Sequence, residues 1–277
     1  MKRLITCQGR YLQLALLTGA LCCSGCDMLE SHPYDVKITG ERGLTAKNVA
    51  LIEDQMAGRD QMRFAMISDT QGWYDETEDV VKALNARGDL DFVVHGGDLS
   101  DYGATREFLW QRDILNNLEM PWVTVIGNHD CLGTGEDVYL SVFGELNYAF
   151  SAGDTRFLCL NTNALEYDYS KPVPDFDFIE NEIKNAEDNG VKRTIVLMHV
   201  RPGELVFNNN VQKVFQLYIK MMPGLQFCLY GHEHQLLVSD LFDDGLLYYQ
   251  CPNIAKRIYL LFTLNADGTY DYEAVDF

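Results

Sequence analysis

Val125-Ile126-Gly127-Asn128-His129-Asp130 is an apolar run that ends in a glycine and passes at once into three side chains able to bind a metal ion or move a proton. The glycine lets the backbone turn sharply where the apolar run stops. Alone, the stretch is equally compatible with an ordinary strand-to-loop turn whose polar residues meet water. Four further clusters change its meaning: Asp69-Thr70-Gln71, Gly97-Asp98-Leu99-Ser100-Asp101, His199 after Met198, and Gly231-His232-Glu233-His234.

Each cluster follows a short apolar segment that reads as a strand: 62–68, 91–95, 122–126, 194–198 and 225–230. Between them lie residues at helical spacing, such as Val80, Val81 and Leu84, the stretch 108–118, and Val138 to Phe143. Phe176, Ile179, Ile183 and Ala186 share one helix face, with Asp175 as cap and Gly190 as stop. Val211, Val214, Phe215 and Tyr218 predict one more helix, and 148–150 with 156–160 a hairpin. After His234 only strands are expected, over 236–241, 246–250, 258–263 and 270–275. This is an α/β pattern, and its chemistry-bearing residues fall just past strand ends, where open α/β sheets place their sites. Upstream, residues 34–39 are expected as a strand, and Val49, Ile52 and Met56 as a helix stopped by Gly58. The expected division is therefore a tether and small decoration over 26–60 and a main domain over 61–277.

Summed, the clusters supply carboxylates, an amide and three imidazoles at one sheet edge. Such a set suits two borderline divalent cations better than one. Two cations a few ångströms apart need a shared anion, and a carboxylate can bridge where an imidazole cannot. Asp98, between glycine-permitted turns, is the natural bridge.

In order and spacing, the five clusters resemble the calcineurin-like metallophosphoesterase superfamily, whose pattern is DxH, GDxxD, GNHD/E, H and GHxH. The resemblance runs from Asp69 to His234. It implies a four-layer α/β/β/α sandwich of mixed sheets flanked by helices, and a phosphomonoesterase or phosphodiesterase that uses a dinuclear centre and a metal-bound hydroxide. It also implies that Asp69, Asp98 and His234 hold one metal, while Asp98, Asn128, His199 and His232 hold the other. His129 would then protonate the leaving oxygen, oriented by Asp130, with Asn128, His129 and Arg201 contacting the substrate. Gln71 departs from the pattern, standing where the superfamily has a histidine ligand. Three readings stay open: Gln71 ligates and favours Mn²⁺ or Mg²⁺, the first site fills only with substrate, or catalysis is lost and an envelope binding protein remains. Two divalent ions are expected, Mn²⁺ first, with Fe, Zn or Mg as alternatives.

Composition bounds the setting. At 277 residues, 47% of them hydrophobic, the chain can bury a full core. Lys2, Arg3 and Arg10 precede an apolar segment from about Tyr11 to Cys23, too short to span a bilayer as a stable helix, so residues 1–25 read as a signal peptide. Cys23-Ser24-Gly25-Cys26 resembles the cleavage box of bacterial lipoproteins, although Cys23 replaces the usual branched aliphatic residue. That likeness implies lipidation of Cys26 and a membrane-anchored place in the bacterial cell envelope, with plain secretion as the alternative. The net charge of −19 becomes more negative once the basic leader is removed, which disfavours nucleic acid as a partner and leaves a small phosphoester as the expected substrate. Cys131, Cys159, Cys228 and Cys251 are scattered and read as buried free thiols. His95 reads as a core histidine, Asp101 as a brace for its loop or for a ligand histidine, Glu233 as pointing to water, and Glu180, Glu182, Glu187 and Asp188 as a solvated helix face. Trp73, Tyr74 and the 166–169 loop are candidates for a cleft wall.

Overall fold

The alternation along β1 (Met62–Ile67) sets out the layers: Phe64 and Met66 point to one face, Ala65 and Ile67 to the other, and all four are buried. A strand buried on both faces needs a layer on each side. In the computed structural model, which describes residue 32 and residues 34–167 and 170–277, β1 lies inside a five-stranded mixed sheet. The other members are β2 (Phe92–His95), β3 (Trp122–Thr124), β10 (Ile258–Leu264) and β11 (Tyr270–Asp276), in the order β11-β10-β1-β2-β3. β1, β2 and β3 run parallel, and β10 pairs antiparallel with β1.

A second mixed sheet, of order β4-β5-β6-β7-β9-β8, contains β4 (Tyr148–Ala152), β5 (Thr155–Leu160), β6 (Arg193–Met198), β7 (Leu225–Tyr230), β8 (Leu237–Asp240) and β9 (Leu247–Gln250). β5, β6, β7 and β9 are parallel, while β4 and β8 are antiparallel edges. The two sheets face each other across a dry layer in which Phe64 and Phe92 of the first meet Phe157, Leu197 and Phe227 of the second. Phe64 and Phe92 stack at 5.3 Å, and Phe157 stands edge-on to both, the offset geometry that aromatic quadrupoles favour.

Helices cover the outer faces. α2 (Tyr74–Arg87), α3 (Thr105–Leu115) and α4 (Gly135–Val142) bury Val80, Leu84, Phe108 and Val138 against the outer side of the first sheet. α5 (Phe176–Asp188) and α6 (Gln212–Ile219) bury Ile179, Ile183, Phe215 and Ile219 against the second. Asp175 caps α5 as expected, its Oδ1 accepting from the Phe178 N–H at 3.0 Å. The result is the α/β/β/α sandwich that the sequence led us to expect.

Two expectations change. Residues 34–39 form no strand: they find no ladder partner, and the Thr39 carbonyl instead accepts from Arg112 at 2.6 Å. The expected helix, α1 (Leu44–Met56), packs on the main domain, and its Ile52 and Met56 enter the inter-sheet core. It closes the side of the sandwich where the edge strands β3 and β4 lie, its Asn48 donating to the Trp122 carbonyl at 2.7 Å and Glu53 accepting from the Ser151 N–H at 3.0 Å. Unpaired edge groups are thereby satisfied. Finally, Glu182 is buried rather than solvated, held by Arg156 at 2.6 Å. The four described cysteines are free thiols, with Cys159, Cys228 and Cys251 buried. Among the described residues, no helix is long and apolar enough to cross a membrane, and residues 1–25 with Cys26 lie outside them.

If α1 is part of the core, Ile52→Ala should destabilise the protein by about 2–4 kcal/mol, the cost of a buried cavity. Urea unfolding monitored by circular dichroism measures this, and a change below about 1 kcal/mol would return α1 to the status of a separable decoration.

Candidate dinuclear metal centre

The parallel strands of both sheets deliver the expected clusters to one end of the sandwich. Asp69 follows β1, Asp98 follows β2, Asn128 and His129 follow β3, His199 follows β6, and His232 and His234 follow β7. Four of these residues, Asp69, Asp98, His232 and His234, adopt left-handed backbone with φ of 53°, 60°, 74° and 58°. Non-glycine residues rarely do so, and each costs on the order of 1–3 kcal/mol. The turns also need room. At Gly127 a Cβ would lie 2.0 Å from Asp98 Oδ1, and at Gly231 one would lie 2.2 Å from Ser68 Oγ and 2.6 Å from Asp69 Oδ2. Only glycine lets these loops pass so close to the two carboxylates.

The loops are tied by polar contacts. The Asp69 N–H donates to the Gly97 carbonyl, and those of Thr70 and Gln71 to the Asp98 carbonyl. Asp130 is fully buried and collects the backbone N–H groups of Asp98, Leu99, Ser100 and Gly127 at 2.8–3.0 Å, together with the Ser100 hydroxyl. Burial and the Asp98 charge push its carboxyl up, to about 7, while the Gly127 and Ser100 amides pull it down. It makes no hydrogen bond to the His129 ring, which corrects the expectation that it orients that residue. The contact to His129 Nδ1 comes from the Asp101 carbonyl at 2.8 Å.

Around His199 the lone pairs converge. Its Nδ1 lies 2.7 Å from the Gly96 carbonyl and so carries the hydrogen, leaving Nε2 to face Asn128 Oδ1 at 3.1 Å and Asp98 Oδ2 at 3.3 Å. Three acceptors in contact need a positive charge among them. That charge is either a proton on His199 or a metal ion. Burial opposes the proton most strongly of any single influence, but the Asp98 and Asp69 carboxylates and the Gly96 carbonyl together outweigh it and lift the imidazole to about 9. His232 Nδ1 reaches the same Asn128 oxygen at 2.9 Å, yet burial and the His199 charge push it down to about 4, so it remains neutral with a lone pair to give. Asp69, Asp98 and His199 each bring a ligand atom within 4.8 Å of the others, and all three are buried. His234 Nε2 stands 3.2 Å from Asp69 Oδ1, and that hydrogen bond raises its pKa.

Gln71 is 6% exposed. Its Nε2 donates to Asp98 Oδ2 at 3.3 Å, and its Oε1 is buried with no partner. A buried amide oxygen without a partner is costly. The donor set of Asp69, Asp98 and His199 fits a divalent ion, and the Gln71 amide lies against it through Asp98.

Two further expectations are corrected. Arg201 is not a free cation: its guanidinium is held by Glu233 at 2.9 Å and by Glu204, and it lies over the Tyr230 ring. Glu233 accordingly does not simply face water. His95 is a core histidine: it accepts from the Gly97 N–H at 3.1 Å and contacts Thr70 Oγ1 at 3.0 Å, and burial lowers its pKa to about 4. Trp73 is exposed, as a cleft residue can be, while Tyr167 is buried and residues 168 and 169 lie outside the described residues. Sequence reading missed Ser68, whose hydroxyl donates to Asp69 Oδ2 at 2.6 Å, although its place before Asp69 was a usable sign. Asp101, expected to brace its loop or a ligand histidine, does meet a histidine, His129, but through its backbone carbonyl, a group that leaves no sequence signal.

Comparison with known proteins agrees with this fold. A 3',5'-cyclic-nucleotide phosphodiesterase of Nostoc sp. is 27% identical over 168 residues, 56% of this chain and 60% of that protein, so the chain spans less than two thirds of that relative. Among solved structures, a dimetal phosphatase from Danio rerio superposes with a TM-score of 0.62 at 13% identity, covering 78% of this chain and 98% of that one. GAP50, the anchor in the inner membrane complex of Plasmodium, superposes with 0.57 at 14% identity, covering 78% and 84%. At such identities these structures establish the shared fold. The calcineurin-like phosphoesterase profile matches residues 62–236, more than half of the sequence, and the chain belongs to that family.

Proposed function

We propose that this protein is a metal-dependent phosphoester hydrolase with a dinuclear centre, exported and lipid-anchored in a bacterial cell envelope. One observation carries the hydrolase reading: lone pairs of Asp98, Asn128, His199 and His232 converge from four strand ends, beside an orphaned Gln71 oxygen. In this reading Asp69, Gln71, Asp98 and His234 hold one ion, and Asp98, Asn128, His199 and His232 the other. When bound, the ions supply an acidified water as nucleophile and positive charge against the phosphate oxygens.

The protein's own groups do the rest. His129 donates through Nδ1 to the Asp101 carbonyl, so Nε2 is its free ring nitrogen; in the imidazolium form the proton on Nε2 would pass to the departing oxygen and leave the ring neutral. The His129 N–H, donating to Asp98 Oδ1 at 3.0 Å, fixes the residue relative to the bridging carboxylate. Arg201 serves to order its own loop against Glu204 and Glu233 rather than to clamp phosphate. The Gln71 oxygen is a harder donor than an imidazole nitrogen, which favours Mn²⁺ or Mg²⁺ over Zn²⁺.

Four experiments test this. The mature protein reconstituted with Mn²⁺ should hold about two ions per chain by elemental analysis. Gln71→Ala should lower that content, and Gln71→His should shift competition towards Zn²⁺ on the order of tenfold. His129→Ala should keep the ions and lose roughly 10²–10⁴ in kcat on an aryl phosphate or its diester. Asp130→Asn should instead lose stability, by at least about 3 kcal/mol, because an amide NH₂ would face backbone N–H groups. If the two variants show the same defect, the separation of their roles is wrong. Labelled fatty acid should enter the wild-type protein in a bacterial host and not Cys26→Ala; equal labelling would remove the anchor.

A further inference from the structure

β5 ends beside the candidate ligands yet supplies none of them. It runs parallel to β6 in register as far as Leu160, which pairs with Met198, so Asn161, Thr162 and Asn163 lie level with the turn that carries His199. These three consecutive polar residues are at most 2% exposed. Burying such a run is costly unless its groups are engaged, and each of the three engages a different segment.

Thr162 Oγ1 accepts from the Val200 N–H at 3.1 Å, directly after His199. Asn163 Nδ2 donates to the Ile126 carbonyl at 2.9 Å, just before Gly127 and Asn128, and to Asn161 Oδ1 at 2.9 Å. Asn163 Oδ1 has no partner among the described residues, so the hold of this side chain comes from its NH₂ group. Asn161 Nδ2 donates to the Tyr167 hydroxyl at 2.8 Å, and that hydroxyl lies 3.6 Å from Cys131 Sγ, at the far end of the His129–Cys131 turn. The turn after β5 thus grips the β3 loop before and after Asn128 and His129, and it grips the β6 loop behind His199. β3 belongs to the first sheet and β6 to the second, so these contacts tie the two sheets together at the point where Asn128 Oδ1 and His199 Nε2 stand 3.1 Å apart. Asp69, Gln71 and His234 make no hydrogen bond to this turn among the described residues.

We propose that Thr162 and Asn163 are positioning residues for one ion of the pair, the one assigned to Asn128 and His199. They set the separation of those two ligands without being ligands themselves, and so tune the affinity of that ion alone. The inference rests on the dinuclear reading above. Groups that orient metal ligands in this way are worth about 10- to 100-fold in metal affinity.

Calorimetric titration of the metal-free full chain with Mn²⁺ tests it. Thr162→Val keeps the shape and removes the acceptor, Thr162→Ser keeps the acceptor, and Asn163→Leu removes the NH₂ group at similar volume. In Thr162→Val and Asn163→Leu one ion should bind about 10- to 100-fold more weakly, the same ion that Asn128→Ala loses, with the other unchanged. Thr162→Ser should titrate as the wild type does. The electron paramagnetic resonance signal of coupled Mn²⁺ pairs should weaken in step with the affected ion. Unchanged affinities in a folded Thr162→Val would overturn the inference and leave the dinuclear reading standing. Equal weakening of both ions would also overturn it, reducing the turn to general scaffolding. If Asn163→Leu fails to fold, the two Thr162 variants decide. A wild-type chain that takes up fewer than two ions would overturn the dinuclear reading and this inference with it.

Discussion

The Asp130 carboxylate is the contact on which the site depends. Four backbone N–H groups from two different strand ends point at one buried anion, and this fixes the loop after β2 against the loop after β3. Without it, Asp98 and Asn128 would have no reason to hold lone pairs toward the same point. The left-handed turns at Asp69, Asp98, His232 and His234 store strain in the same place, and the anchored loops are what hold that strain. Rigidity here serves chemistry, since ligand atoms must stand where a cation will sit before it arrives.

The layers were readable because burial on both faces of β1, β2 and β6 produces unbroken apolar runs, and because glycine and polar residues punctuate their ends. The ligand clusters were legible for the same reason: each is a short word after a strand. What the sequence hid was direction. His129 to Cys131 form a 3₁₀ turn, in which consecutive side chains diverge by about a third of a revolution, so neighbours in sequence do not share a target. His129 turns to the Asp101 carbonyl while Asp130 turns inward.

Charge pairing over long separations was equally hidden. Glu182 and Glu233 looked solvated because their neighbours are polar, but Arg156 and Arg201 come from other strands or loops. The 34–39 segment has the residues of a strand and lacks a ladder partner, lying instead against α3, whose Thr105 and Arg112 donate to the Asp35 and Thr39 carbonyls. Pairing is a property of the sheet, and no local pattern encodes it.

His232 donates its backbone N–H to Asp69 across 163 residues of chain, and His199 meets Asn128 across 71. The contacts that join the clusters into one centre are all distant in sequence. Metal affinity here therefore accrues only when both sheets have closed, and bound ions act as a latch on the finished topology rather than as a nucleus for it. A chain that crosses a membrane unfolded would stay metal-free until it arrives, and the identity of the ion would then be set by the compartment in which folding is completed.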